Sequence, residues 1–129
     1  MRRLLLASPP YDRFLRRVAA LFLLPLSLAA CNRPPVILGQ RPSGAPAPVR
    51  MLDQLSPRSA VVVSGVMIEK CPVAGCWFVL RDTTGQVRVD TKTAGFVVTD
   101  VPLRTRLTVA GSVQREEGTT SVTASGALY

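Results

Sequence analysis

The chain contains no histidine. That removes the imidazole general base, the Ser-His-Asp and Cys-His arrangements, and every metal site that needs a nitrogen ligand from histidine. Aromatic residues make up only 5% of the sequence, with a single tryptophan, so an extended stacking surface for bases or sugars is not available. No glycine-rich phosphate loop is present. Gly65, Gly75 and Gly85 fall ten residues apart because strands and turns recur, not because they share a loop. The longest apolar run, from Val18 to Leu28, is about half of the ~20 residues that a helix needs to cross a bilayer. Acidic residues are scarce, 8 against 16 basic, and those after residue 59 fall mostly at turns. With these components missing, no catalytic residue and no cofactor is assigned, and a non-catalytic role is expected.

The excess of positive charge is unevenly placed. Arg2, Arg3, Arg13, Arg16 and Arg17 precede or adjoin the apolar run, and Asp12 is the only acid before residue 31. A basic stretch, an apolar stretch and small residues at a cleavage site describe a secretory signal peptide over 1–30. The cysteine directly after Leu28-Ala29-Ala30 resembles the lipobox of bacterial lipoproteins. That resemblance implies diacylglyceryl attachment to the Cys31 thiol, removal of the preceding peptide, and acylation of the new terminus with fatty acids of the palmitate class. It also implies a protein held to a membrane of the bacterial cell envelope and facing the periplasm. Asn32, where some inner-membrane lipoproteins carry aspartate, favours the outer membrane. From Ser59 onward seven basic residues face six acidic ones, so the remainder of the chain is nearly neutral. The overall basicity therefore belongs to the leader and linker and does not argue for nucleic acid.

Residues 31–58 carry six prolines (Pro34, Pro35, Pro42, Pro46, Pro48 and Pro57) with glycine and serine between them. Such composition is expected to form a flexible, extended tether. Within it, Met51 to Leu55 is apolar enough to form a helical turn that packs on the domain.

Residues 59–129 read as all-β. Strands are expected over Val61–Glu69, Cys76–Arg81, Gln86–Lys92, Leu103–Arg115 and Thr119–Leu128, with turns at Asp82-Thr83-Thr84-Gly85 and Glu116-Glu117-Gly118. Val87, Val89, Thr91, Leu107, Val109, Gly111 and Val113 are expected to face inward. A domain of about seventy residues is marginal as a free core, and a closed barrel buries the most without leaving edges. The series Val61-Val62-Val63-Ser64-Gly65-Val66, Trp77-Phe78-Val79-Leu80-Arg81-Asp82, Gly85-Gln86-Val87-Arg88-Val89-Asp90 and Leu107-Thr108-Val109-Ala110-Gly111-Ser112-Val113 resembles OB-fold domains. It is most similar to small exported bacterial ones with a cysteine pair and Gly-Cys-Trp, here Gly75-Cys76-Trp77. The resemblance implies a five-stranded OB-fold-like barrel, with Gly65 and Gly111 bending the first and fourth strands.

Cys71 and Cys76 flank a four-residue loop between the first two strands. Facing positions of an antiparallel pair lie within disulfide range, and the compartment outside the inner membrane is oxidising, so a structural disulfide is expected. Two alternatives remain open. One is a soft-metal site for copper or zinc, completed by Met67 and Trp77, with Glu69 and Asp82 as generic nearby carboxylates. The other is thiol redox chemistry, although the spacing is not Cys-x-x-Cys. If Phe78 and Leu80 face inward, Trp77, Val79 and Arg81 face outward beside Arg88 and Lys92. OB-folds bind ligands on that face. Trp77 is expected to pack under the 93–100 connection beside Phe96, with a stacking role as the alternative. The resulting expectation is a monomeric binding module, anchored to the membrane by lipid, that engages envelope protein, peptide or glycan.

Overall fold

In a computed structural model, residues 32–129 are described; the leader and Cys31 lie outside them. Six strands are present: β1 (Ile37–Gly39), β2 (Ala60–Lys70), β3 (Trp77–Arg81), β4 (Gln86–Asp90), β5 (Arg106–Glu116) and β6 (Thr119–Leu128). A short 3-10 helix spans Val49–Gln54. Strands β2 to β6 close a barrel. The sheet runs β6-β4-β3-β2-β5, and β5 pairs back onto β6. Every barrel pairing is antiparallel except β4 with β6, where Arg88, Val89 and Asp90 align in parallel with Ser121, Val122 and Thr123.

Alternation puts the core where the sequence pattern places it. Val63, Phe78, Leu80, Val89, Leu107, Val109, Val113 and Val122 are completely buried. Thr91 is buried as well, with its hydroxyl donating to the Gly75 carbonyl at 3.4 Å. Two glycines permit the closure. Strand β2 bonds β5 through residues 60–66 and β3 through 66–70, so it must bend in its middle. Gly65 lies at that bend, where a Cβ would run into the Arg81 carbonyl. Gly111 sits opposite the β6 bulge, where Ser125 is the extra residue, and lies against the Thr123 carbonyl. The hairpin between β5 and β6 turns on Glu117 and Gly118, both with positive φ (49° and 79°), as a two-residue turn of the type I′ class requires.

Strand limits differ by one to three residues, most at two ends: β4 stops at Asp90, so Thr91 and Lys92 lie beyond it, and β5 starts at Arg106 rather than Leu103. Residues 103–105 are not strand, because Thr105 N donates to Pro102 O and Arg104 takes a φ of 71°. The 93–102 connection, rather than a helix, plugs one end of the barrel by inserting Val98 and Val101. Lys70 Nζ holds that plug in place, donating to Thr99 O at 2.8 Å and Val101 O at 2.6 Å.

The larger correction concerns residues 31–58, read from composition as a flexible tether. From Val36 onward the segment is part of the folded unit. Strand β1 extends the sheet by pairing with β6 (Ile37 with Leu128, Gly39 with Gly126). The prolines punctuate this path without freeing it: Ala47 N donates to Val62 O. The turn expected at Met51–Leu55 forms as the 3-10 helix, which buries Val49 and Leu52 and leaves Met51 exposed.

Candidate functional site

Strands β3 and β4 present the face expected of them. Phe78, Leu80, Val87 and Val89 are buried, so the intervening side chains project from the barrel, with Arg81, Arg88 and Lys92 exposed. The ladder sets Trp77 against Asp90 and Val79 against Arg88. A diagonal step across it places the Arg88 guanidinium over the Trp77 ring, 4.6 Å from the centroid. The half-buried Trp77 ring therefore stacks with Arg88. The Phe96 ring lies against β1, 3.0 Å from where a Cβ on Gly39 would be.

Beside that pair runs an open groove of about 810 Å³. Arg88, Asp90 and Lys92 of the β4 segment form one wall, Thr119, Ser121 and Thr123 of β6 the floor, and Gln114, Glu116 and Glu117 the far side. Lys92 N donates to Asp90 Oδ1 at 2.8 Å, which fixes that carboxylate at the rim. The lining is hydroxyl, carboxylate, amide and cation, with almost no apolar side chain. Such a surface offers hydrogen bonds and charge rather than apolar contact. The sequence reading found the β3–β4 wall but missed the floor, because β6 reaches β4 only through the parallel pairing that closes the barrel.

The cysteine loop departs from its expected geometry. Cys71 N donates to Trp77 O at 3.0 Å, so Cys71 stands opposite Trp77 in the ladder and Cys76 is one step off. Both cysteines are free thiols, each half-buried. The Cys71 thiol is lowered to about 7 by hydrogen bonds from the backbone N–H groups of Ala74 and Val73, which outweigh desolvation; the Cys76 side chain and N–H add to it. Met67 does not join them. It alternates to the inside of β2 and is completely buried, so the thioether proposed to complete a copper site is in the core. Among the described residues no group of three or more His, Cys, Asp or Glu side chains is placed to hold a metal.

Asp82, read as a generic surface carboxylate, has a defined structural task. Oδ1 accepts from Thr84 N (2.7 Å), Thr84 Oγ1 (2.6 Å) and Gly85 N (3.0 Å), and Oδ2 accepts from Val49 N at 2.9 Å. Burial opposes its charge, but the bonds from Thr84, Val49 and Gly85 prevail and lower its pKa. The signal for an Asx turn at 82–85 was present in the sequence. The link to Val49, 33 residues earlier, was not.

No family model and no curated protein matches the chain. Among solved structures, the hypothetical protein ygiW from E. coli matches with a TM-score of 0.51 and 19% identity, over 64% of this chain and 87% of that one. The likeness is one of architecture: the closed five-stranded barrel of residues 60–128, with one added strand, is OB-fold-like.

Proposed function

We propose that this protein is a lipid-anchored lipoprotein of the bacterial cell envelope whose OB-fold-like barrel binds a polar envelope ligand, a protein, peptide or glycan, without transforming it. The observation that carries the binding reading is the groove of β4 and β6 beside the Trp77–Arg88 stack. An OB-fold barrel commonly meets its ligands on the face of its second and third strands, here β3 and β4, and β4 forms one wall of the groove. The stack gives one aromatic plane and one cation at the groove's edge, and the floor supplies hydroxyl donors and acceptors. The anchoring reading rests on the basic leader and Leu28-Ala29-Ala30-Cys31.

Two measurements test it. A photoreactive amino acid at Lys92 is expected to form discrete adducts in intact envelopes, and Trp77→Ala should weaken them. The same group at Ser43, outside the groove, should form none. Absence of adducts from Lys92 and from Ser121 alike would remove the binding reading. Labelling by a fatty-acid probe should be lost in Cys31→Ser, and a native chain that takes up no label would remove the anchor.

A further inference from the structure

Cys71-Pro72-Val73-Ala74-Gly75-Cys76 is built more rigidly than a connecting loop requires. Gly75 N returns to Cys71 O at 3.3 Å, which closes a turn of one helical repeat and wraps residues 72–74 around the Cys71 side chain. Pro72 has no N–H, so the first donors the turn offers the sulfur are those of Val73 and Ala74, and both lower its pKa. Gly75 fastens the turn from behind. Its carbonyl accepts from Val98 N at 3.1 Å, its φ is 57°, and a Cβ there would stand 2.7 Å from Thr99 N. Cys76 stands next to Trp77, the residue that Cys71 faces, is half-buried like Cys71, and its side chain also lowers the Cys71 pKa. The turn around them is open: Pro72, Val73 and Ala74 are exposed, Val73 by 88%. Backbone donors converging on an accessible sulfur stabilise its thiolate, and a second thiol within reach can resolve what the first one forms.

We propose that the Cys71–Cys76 loop is a thiol–disulfide exchange site, with Cys71 as nucleophile, Cys76 as resolving thiol, and a solvent-accessible disulfide as substrate. The Cys71 thiolate attacks one sulfur of R–S–S–R′. A Cys71–S–R bond forms, the substrate's S–S bond breaks, and R′–S⁻ leaves and takes a proton from water. Cys76, having given its proton to solvent, then attacks the Cys71 sulfur. The Cys71–Cys76 disulfide forms, the mixed disulfide breaks, and R–S⁻ leaves to be protonated. Two electrons pass from the dithiol to the substrate, and the reverse sequence oxidises a dithiol. This chemistry is independent of the groove and stands or falls separately from it.

The test uses the reduced full chain in detergent, with oxidised glutathione as the probe and peptide mapping to separate Cys31 from the loop. Wild type should pass to the intramolecular disulfide, with its mass lower by two hydrogens and no glutathione retained. Cys76→Ser should accumulate one glutathionyl group at Cys71, and Cys71→Ser should react more slowly. Brief iodoacetamide pulses on wild type give the order of reactivity without any substitution. Cys71 should be alkylated ahead of Cys76, with half-maximal rate near pH 7. At pH 6 it should react about fivefold faster than the thiol of a short unstructured peptide, the gain in thiolate fraction being partly offset by lower nucleophilicity. Equal labelling of the two cysteines, glutathione that stays on wild type, or a Cys76→Ser chain that gains none would each overturn the proposal.

Discussion

Asp82 accepts four hydrogen bonds through two oxygens and so joins the β3–β4 turn to the helix at Val49. Because its folded pKa is lowered, its contribution is fully present above the ordinary carboxylate range and is lost as pH falls through the folded value. Urea midpoints of wild type should therefore drop on acidification below about pH 4. Asp82→Asn should lack that part of the decline while being weaker at neutral pH. Asp82→Ala is expected to cost about 1–3 kcal/mol at pH 7, since it strands several donors at once. Trp77 offers a second measurement at this scale because it is the only tryptophan. Removing the guanidinium above it, in Arg88→Ala, should shift its emission to longer wavelength. The loss of stability should be about 0.5–1 kcal/mol, the range of exposed cation–π pairs. An unchanged spectrum would mean that Arg88 does not cover the ring in solution.

Among the elements, the 3-10 helix separates burial from composition most clearly. Leu52 is 1% exposed and its neighbour Met51 is 37% exposed. Leu52→Ala is expected to cost about 2–4 kcal/mol, while Met51→Ala should change unfolding by less than about 0.5 kcal/mol. Equal, small effects from both would show the helix to be detached from the barrel. The five barrel strands were legible in the sequence because alternation is a local signal. Val87, Arg88, Val89 and Asp90 declare their two faces without reference to anything else. Gly65 and Gly111 were legible through the resemblance to OB-folds, which implies a bending glycine in each of those strands. The segment before Ala60 was not legible, because what orders it is distant. Ile37 pairs with Leu128, Ala47 with Val62 and Val49 with Asp82, and none of these contacts leaves a periodic trace. Proline and glycine content then favoured the extended reading. Met67 failed in the other direction: a thioether near two cysteines in sequence looks like a ligand, but its parity on β2 turns it inward.

At the scale of the whole molecule, the barrel depends on both of its closures. Strand β5 joins β2 to β6 along its length, with Val109 between Val63 and Ala127 and completely buried. Val109→Asp should unfold the barrel, because an unpaired charge would enter its core. Far-ultraviolet dichroism would show the loss, and indifference to the substitution would contradict the barrel. A fragment of residues 59–129 retains all five barrel strands but loses Val49, Leu52 and the strand along β6. It should melt well below a fragment of residues 34–129 by calorimetry, and equal melting points would return the segment to the status of a tether.

The pairing of β1 with β6 also sets a length. Val36 N donates to Tyr129 O at 2.7 Å and Tyr129 N to Val36 O at 3.1 Å, which fastens Val36 to the end of β6. Counted from the proposed lipid on Cys31, residues 32–35 are all that lies before that pairing. Five residue steps span no more than ~18 Å when fully extended, whereas the 28 steps to Ser59 would have allowed ~100 Å. On the proposed anchor, the barrel is moored at the headgroups on a short leash, with the exposed side chains of Val36 and Ile37 at its near end. On that anchor, a ligand of the proposed groove would be bound close to the membrane surface.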